Sequence, residues 1–199
     1  MNASLRKMQK EDKIMMSLPN FLSIFRLVLT PVIIIFILKE MFARAFFVFM
    51  LAALSDMLDG YLARKYHSIT ELGRFLDPFS DKLLLVSSFY VLSLMNFMPW
   101  WLFFIVLIKE IIMLIGWLTV RSIIKDSKIN PNIYGKTASV FLMLLVLCTL
   151  ACNLSWVPHA IFPYLKTILL YGSVVFIFIS LLVYLITGLK ELGLRKNDV

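Results

Sequence analysis

Charged residues are scarce in this sequence. Only 16% of its 199 residues are Asp, Glu, Lys or Arg, whereas 61% are hydrophobic, and the mean hydropathy is +0.89. This composition is typical of an integral membrane protein. The stretches between the apolar runs are too short to hold a separate soluble domain. We therefore predict a single membrane domain over residues 18–199, preceded by an N-terminal segment of residues 1–17.

Cysteine is also rare, and a cleavable leader is not evident. Cys148 and Cys152 lie four residues apart in an apolar run with no flanking ligands, which favours helix packing over a disulfide or a metal site. The first apolar run is long, contains Arg26 and lacks a small-residue cleavage site. We expect it to stay in the membrane and not to be removed as a signal peptide.

Six apolar runs predict an all-α bundle of six transmembrane helices. Each run is close to the roughly 20 residues that a helix needs to cross the hydrocarbon of a bilayer. The runs cover residues 20–39, 45–65, 75–96, 99–123, 134–153 and 162–189. In residues 1–17, basic and apolar residues are mixed, which predicts a short amphipathic helix on the membrane surface. The alternative for this segment is a disordered basic tail.

The net charge of +8 is explained by basic residues placed as membrane topology requires. Aromatic residues lie within the apolar runs and do not alternate with basic residues, so we expect no nucleic-acid partner and instead contacts with anionic lipid headgroups. Basic residues cluster at both termini and in the loops after the second and fourth runs, whereas the other side has only Lys39, Arg44 and Lys166. By the positive-inside rule, both termini and these loops face the cytoplasm, in what we expect is a bacterial inner membrane.

Four aspartates break the apolar pattern. Asp56 and Asp59 are three residues apart, and Asp77 and Asp81 are four apart, so each pair is expected on one face of a helix. Ionised carboxylates near a bilayer are costly unless they are paired, solvated or bound to metal. Hard oxygen ligands suit Mg²⁺ or Mn²⁺, and we predict a pair of such ions roughly 3.5–4 Å apart. The alternative is ion pairing with nearby basic residues, namely Arg64, Arg74 and Lys82.

The same segment resembles the CDP-alcohol phosphotransferase family. The family signature Asp-x2-Asp-Gly-x2-Ala-Arg-x8-Gly-x3-Asp-x3-Asp is matched at all eight fixed positions. These positions are Asp56, Asp59, Gly60, Ala63, Arg64, Gly73, Asp77 and Asp81. The resemblance implies that a CDP-linked lipid or alcohol donates its phosphoryl group to a hydroxyl while CMP leaves, and that the protein forms a homodimer.

The resemblance also implies a role for each motif residue. Asp56, Asp59 and Asp77 would be metal ligands, and Asp81 would ligate metal or act as the general base that takes the acceptor's proton. The motif's remaining members would bind the cytidine and pyrophosphate of the donor: Gly60, Ala63, Arg64 and Gly73. Small residues at Gly60 and Ala63 equally suit close helix packing, so both interpretations stay open for them.

Further motifs bear on the acceptor. Pro19, Asn20, Ser23 and Arg26 resemble the opening of phosphatidylglycerophosphate synthases and of eukaryotic-type cardiolipin synthases, with Ser23 in place of Thr. Lys109-Glu110 stands where these synthases commonly have Arg-Glu, and the stretch from Gly135 to Ser139 resembles their Gly-Lys-x-x-Thr. Arg26 in an apolar run needs a partner, either a substrate phosphate or a buried acid. The candidate cations for an acceptor phosphate are Arg26, Lys109, Arg121, Lys125 and Lys136.

The expected activity is transfer of a phosphatidyl group from CDP-diacylglycerol to glycerol 3-phosphate. Ser139 and Leu142 replace the Thr and Gln usual in that branch, which leaves the acceptor open. The alternatives are a cardiolipin synthase that uses phosphatidylglycerol, or an enzyme for inositol phosphate or serine. A small cation transporter is the alternative from another class, but the internal repeats typical of transporters are not visible.

Overall fold

A computed structural model describes most of the chain beyond its N-terminal segment. The described residues are 24–66, 71–123, 133–155, 157 and 160–196. Within these ranges, the side chains of 56–66, 71–78, 117–123, 133 and 187–196 are not described. The predicted amphipathic segment, residues 1–17, lies outside the described residues.

The described ranges are helical and contain no strand, which confirms the all-α prediction. Six helices occur in these ranges: α1 Ile24–Leu38, α2 Phe42–Tyr66, α3 Glu71–Leu94, α4 Trp100–Ile123, α5 Ile133–Ala151 and α6 Phe162–Lys196. The predicted runs overlap all six, but their boundaries differ. Helix α3 begins at Glu71, before the predicted 75, and α6 continues to Lys196, past the predicted 189. Polar residues end an apolar run without ending a helix, because the backbone hydrogen bonds continue through them.

The chain divides into two compact units, Met1–Met95 and Asn96–Val199. In the first unit, the buried face of α1 consists of Arg26, Thr30, Ile33 and Ile37. Their spacing of three and four residues is that of one helix face. Apolar residues dominate this core, so the presence of an arginine on the buried face of α1 requires a specific partner.

The second unit contains α4, α5 and α6. Helix α6 packs chiefly on α5, where the rings of Phe141 and Phe176 lie 4.7 Å apart between centroids. The two cysteines are free, and the Cys148 thiol is buried with its Sγ 3.7 Å from the Phe162 carbonyl oxygen. This position agrees with the predicted packing role.

Two helices in the described part of the chain are long and apolar enough to cross a membrane. They are Tyr134–Ala151 and Phe162–Ile186, and two shorter apolar helical segments are Ile24–Leu38 and Phe42–Ser55. Length and composition thus agree with a membrane protein, while the prediction of six spans stays a prediction.

Candidate functional site

The four aspartates lie on two consecutive helices. Asp56 and Asp59 belong to α2, and Asp77 and Asp81 belong to α3, so each pair has helical spacing as the sequence predicts. The side chain of Asp81 is described, whereas those of the other three are not. Among described side chains there is no group of three or more His, Cys, Asp or Glu that could hold a metal.

Asp81 forms an ion pair with Arg26. Arg26 Nη1 contacts Asp81 Oδ1, and the arginine side chain is 1% exposed while that of the aspartate is 31% exposed. A guanidinium buried without a counter-charge would be costly, so this pair accounts for an arginine on the buried face of α1. Of the two partners predicted for Arg26, the structure contains the acid. Phosphate binding by Arg26 stays a prediction.

The residues present fit a divalent cation. Carboxylate oxygens are hard donors of the kind that Mg²⁺ and Mn²⁺ prefer. The Asp81 side chain is 31% exposed although Arg26 contacts its Oδ1, so this member of the set is not fully enclosed by protein. Asp56, Asp59 and Asp77 would complete the ligand set.

The predicted nucleotide-binding residues also fall on α2 and α3. Gly60, Ala63 and Arg64 lie in the last part of α2, and Gly73 lies in the first turn of α3. Their side-chain surroundings are outside the described set, so their role in binding CDP stays a prediction.

A second polar group lies in the other unit, and we call it the Lys109 cluster: Lys109, Glu110 and Ser139. Lys109 is 2% exposed, and its Nζ donates hydrogen bonds to Glu110 Oε1 at 2.6 Å and to Ser139 Oγ at 3.2 Å. Glu110 is also buried. Because each charge lies beside its opposite, the pair avoids the cost of an isolated buried ion.

The Lys109 cluster continues into the first turn of α5. Ser139 Oγ donates to the Gly135 carbonyl oxygen at 3.1 Å. Gly135 is itself buried, and a methyl group added to it would stand 3.2 Å from Met113 Cε and 3.3 Å from Ser180 Oγ. The glycine thus permits close approach of α5 to α4 and α6. The next residue, Lys136, is exposed.

The other predicted cations are described less fully. Arg121 lies in the last turn of α4 with its side chain outside the described set, and Lys125 lies outside the described residues altogether. Binding of an acceptor phosphate by any of these basic residues stays a prediction.

Glu110 and Ser139 are functional candidates that occur in the sequence motifs but to which the sequence assigned no role. A signal for Glu110 was available, because two adjacent ionisable residues in an apolar run need partners. For Ser139 the Gly-Lys-x-x-Thr resemblance was a signal, but it could not identify the partner Lys109, which lies on another helix, 30 positions away in sequence.

The sequence profile of the CDP-alcohol phosphatidyltransferase family matches residues 16–183, which includes all four aspartates, Arg26 and the Lys109 cluster. The chain belongs to the CDP-alcohol phosphatidyltransferase family. The resemblance carried by the eight motif positions is therefore confirmed, and with it the prediction of a transferase. Divalent metal ions are generally used in the CDP-alcohol phosphatidyltransferase family.

Individual relatives are similar over most of the chain. A CDP-diacylglycerol--glycerol-3-phosphate 3-phosphatidyltransferase from Aquifex aeolicus is 32% identical over 180 residues, which cover 88% of this chain and 97% of the relative. A relative of the same name from Wigglesworthia glossinidia brevipalpis is 30% identical over 185 residues, covering 89% and 97%. A cardiolipin synthase (CMP-forming) from Streptomyces coelicolor is 34% identical over 137 residues, covering 64% and 62%.

Proposed function

We propose that this chain transfers a phosphatidyl group from CDP-diacylglycerol to glycerol 3-phosphate, giving phosphatidylglycerophosphate and CMP. The observation that carries the proposal is the near full-length similarity to the two relatives named for this reaction. The motif supports the type of transfer but not the choice of acceptor, because its eight positions are those of the family as a whole.

The proposed reaction is an in-line displacement at one phosphorus. The hydroxyl oxygen of the acceptor forms a bond to the phosphorus that carries the diacylglycerol, and the bond from that phosphorus to the bridging oxygen breaks, so CMP leaves with that oxygen. Asp81 takes the proton of the acceptor hydroxyl, and Arg26 orients the carboxylate through their ion pair. Asp56, Asp59, Asp77 and Asp81 would hold Mg²⁺ or Mn²⁺, which would supply neutralisation of phosphate charge.

Binding roles complete the proposal. Gly60, Ala63, Arg64 and Gly73 hold the CDP group. The acceptor's phosphate is a dianion and needs cations. The sequence offers the candidates Arg26, Lys109, Arg121, Lys125 and Lys136, of which Lys136 has an exposed side chain.

The decisive experiment measures CMP release by purified protein with CDP-diacylglycerol and Mg²⁺ against separate acceptors. We expect release that depends on glycerol 3-phosphate, is lost in EDTA and returns with Mg²⁺ or Mn²⁺. Asp81→Asn should lower the rate by about 10²-fold or more, the usual contribution of a general base. Asp198→Asn, which removes a carboxylate outside the motif, is the matched control and should leave the rate unchanged. No CMP release with any acceptor from folded, metal-supplied protein would overturn the transferase proposal.

A cardiolipin synthase is the second candidate, because the Streptomyces coelicolor relative carries that name. Its acceptor, phosphatidylglycerol, is a lipid, so the two candidates differ in whether a water-soluble acceptor suffices. CMP release only with phosphatidylglycerol in mixed micelles, and none with glycerol 3-phosphate, would favour this candidate.

We also propose the setting of the reaction. The chain forms one membrane domain with six spans in a bacterial inner membrane, with both termini and the aspartates facing the cytoplasm, and it assembles as a homodimer. The basic clusters at the termini and in two loops support this orientation.

A further inference from the structure

Lys109 is a poor candidate for direct contact with a water-soluble phosphate. Its side chain is 2% exposed, and two of its three N–H donors are directed to Glu110 and Ser139. Its charge is already balanced by the Glu110 carboxylate at 2.6 Å. A water-soluble phosphate would reach the Lys109 ammonium only if this buried ion pair moved toward solvent, and disturbing a buried pair is costly.

The hydrogen bonds of Lys109 lead to the first turn of α5. Ser139 accepts from Lys109 and donates to the Gly135 carbonyl oxygen, so one hydroxyl connects α4 to a backbone group of α5. Gly135 is close to Met113 on α4 and Ser180 on α6, which limits movement of this turn. The next residue, Lys136, has an exposed side chain on a backbone held by these contacts.

We propose that Lys109 is a positioning residue: through Ser139 and the Gly135 carbonyl it holds the first turn of α5 so that Lys136 can bind the acceptor phosphate. This inference rests on the proposed glycerol 3-phosphate acceptor. It assigns Lys109 a different role from direct phosphate binding, which the sequence alone suggested. Ser139 becomes the essential link, because without its hydroxyl Lys109 has no path to the turn.

A double-mutant cycle separates the two roles of Lys109. The KM for glycerol 3-phosphate is measured by CMP release for the wild type, Lys109→Met, Ser139→Ala and the double variant. If Lys109 acts through Ser139, each single change should raise this KM about tenfold, the loss of one hydrogen bond to a charged group, and the double variant should be no worse than the single ones. The KM for CDP-diacylglycerol should stay within about twofold of the wild-type value, because Lys136 is proposed to bind the acceptor's phosphate and not the donor.

Two further variants act as controls for the cycle. Ser139→Thr keeps the hydroxyl and should retain the wild-type KM for glycerol 3-phosphate. Ser173→Ala removes another buried serine that donates to the carbonyl four residues earlier, the Leu169 oxygen at 2.6 Å, and should leave both KM values unchanged. Lys136→Met should raise the KM for glycerol 3-phosphate at least as much as Lys109→Met, since it removes the cation itself.

Several outcomes would overturn the inference. One is a raised KM for glycerol 3-phosphate in Lys109→Met together with an unchanged KM in Ser139→Ala, because a direct ligand would give this result. Another is a KM in the double variant that is raised by the product of the two single effects. If Lys109→Met does not fold, the Ser139→Ala and Ser139→Thr pair decides, and an unchanged KM in Ser139→Ala contradicts the inference. The wild-type assay tests the proposed function before any variant is measured. If the wild type releases no CMP with glycerol 3-phosphate, the proposed function is wrong, and the inference is wrong with it.

Discussion

At the scale of single residues, the ion pair between Arg26 and Asp81 connects the α1 helix to the proposed catalytic carboxylate. Arginine suits this position better than lysine, because its planar guanidinium binds a carboxylate with fixed geometry. The sequence predicts that Arg26 needs a partner, but helical spacing cannot identify an acid on another helix. Asp81 could be recognised from its motif, whereas its pairing with Arg26 depends on which faces of α1 and α3 meet.

We expect the Arg26–Asp81 pair to contribute measurably to stability. Arg26→Met should lower the free energy of unfolding by about 2 kcal/mol, less than for a fully buried pair because Asp81 is partly exposed. Asp81→Asn should also destabilise, since Arg26 loses that counter-charge. The double variant should lose less free energy of unfolding than the sum of the two single losses. Unfolding in mixed micelles titrated with SDS measures all three values.

Arg44→Met is the matched control for this cycle. Arg44 is exposed, and its Nη1 lies 3.5 Å from Met41 Sδ. Surface substitutions of this kind usually change stability by at most about 0.5 kcal/mol. Additive losses from Arg26→Met and Asp81→Asn would contradict a direct interaction between these two residues.

At the scale of helices, the end of α1 is defined by its backbone conformation. The Met41 N–H donates to the Phe36 carbonyl at 2.9 Å, and the Glu40 N–H donates to the Ile37 carbonyl at 2.9 Å. This pattern is a Schellman motif, in which the residue after the C-cap adopts a left-handed conformation. Glu40 has φ of 57° and occupies that position, where glycine is usual.

We therefore expect Glu40→Gly to stabilise the protein. Glycine adopts the left-handed conformation without the steric cost of a Cβ atom, and its larger entropy in the unfolded chain offsets part of the gain. A net increase of about 0.5 kcal/mol in the free energy of unfolding is expected. Glu40→Ala is the control, because it removes the charge but keeps Cβ, and it should give no increase. Equal effects of the two substitutions would show that charge and not backbone conformation is responsible.

Helices α4 and α6 approach closely at Gly116. A methyl group at this position would overlap the hydroxyl and ring of Tyr184. We expect Gly116→Ala to force the tyrosine aside, and the loss of about 1–3 kcal/mol for overpacking is reduced by the roughly 1 kcal/mol that alanine gains over glycine inside a helix. In a Tyr184→Ala background the same change should cost much less. Unfolding free energies of the four proteins give the coupling, and equal costs in both backgrounds would refute the contact.

Gly172→Ala is a useful comparison for Gly116. A methyl group there would stand 3.2 Å from Phe141 Cε1 and 3.4 Å from Cδ1, so the ring needs only a small shift. Its effect on stability should be clearly smaller than that of Gly116→Ala.

At the scale of the whole molecule, charge distribution determines the expected orientation in the membrane. Basic residues are concentrated at the termini and in the loops after α2 and α4, and an even number of spans places both termini on the same side. The aspartates of α2 and α3 lie near the loop between these helices, and the proposed orientation would place this loop on the side where the cytoplasmic donor headgroup is presented.

This topology predicts the behaviour of fusion proteins in bacterial cells. Green fluorescent protein fused to the C-terminus should fluoresce, and alkaline phosphatase fused there should be inactive, because that enzyme requires the periplasm. Alkaline phosphatase fused after Pro158, between α5 and α6, should be active. An active C-terminal phosphatase fusion would show that the number of spans or the orientation is wrong.

The sequence by itself determined the family and the class of reaction. The motif is local: its eight positions lie on two consecutive helices, so residue type and spacing are sufficient to recognise it. The apolar runs likewise indicated six helices, since the length and composition of an apolar run are local properties of the sequence. Helix ends were less accurate, as α3 and α6 show, because polar residues end an apolar run before the helix ends.

Only the tertiary structure decided which polar side chains meet. Arg26 on α1 pairs with Asp81 on α3, and Lys109 on α4 pairs with Ser139 on α5, so each pair joins two different helices. Such pairs depend on helix rotation and packing, and many combinations of faces satisfy the same apolar pattern. The physical reason is that a buried charge requires a partner but does not specify one, so the choice follows from the contacts that bring particular helix faces together.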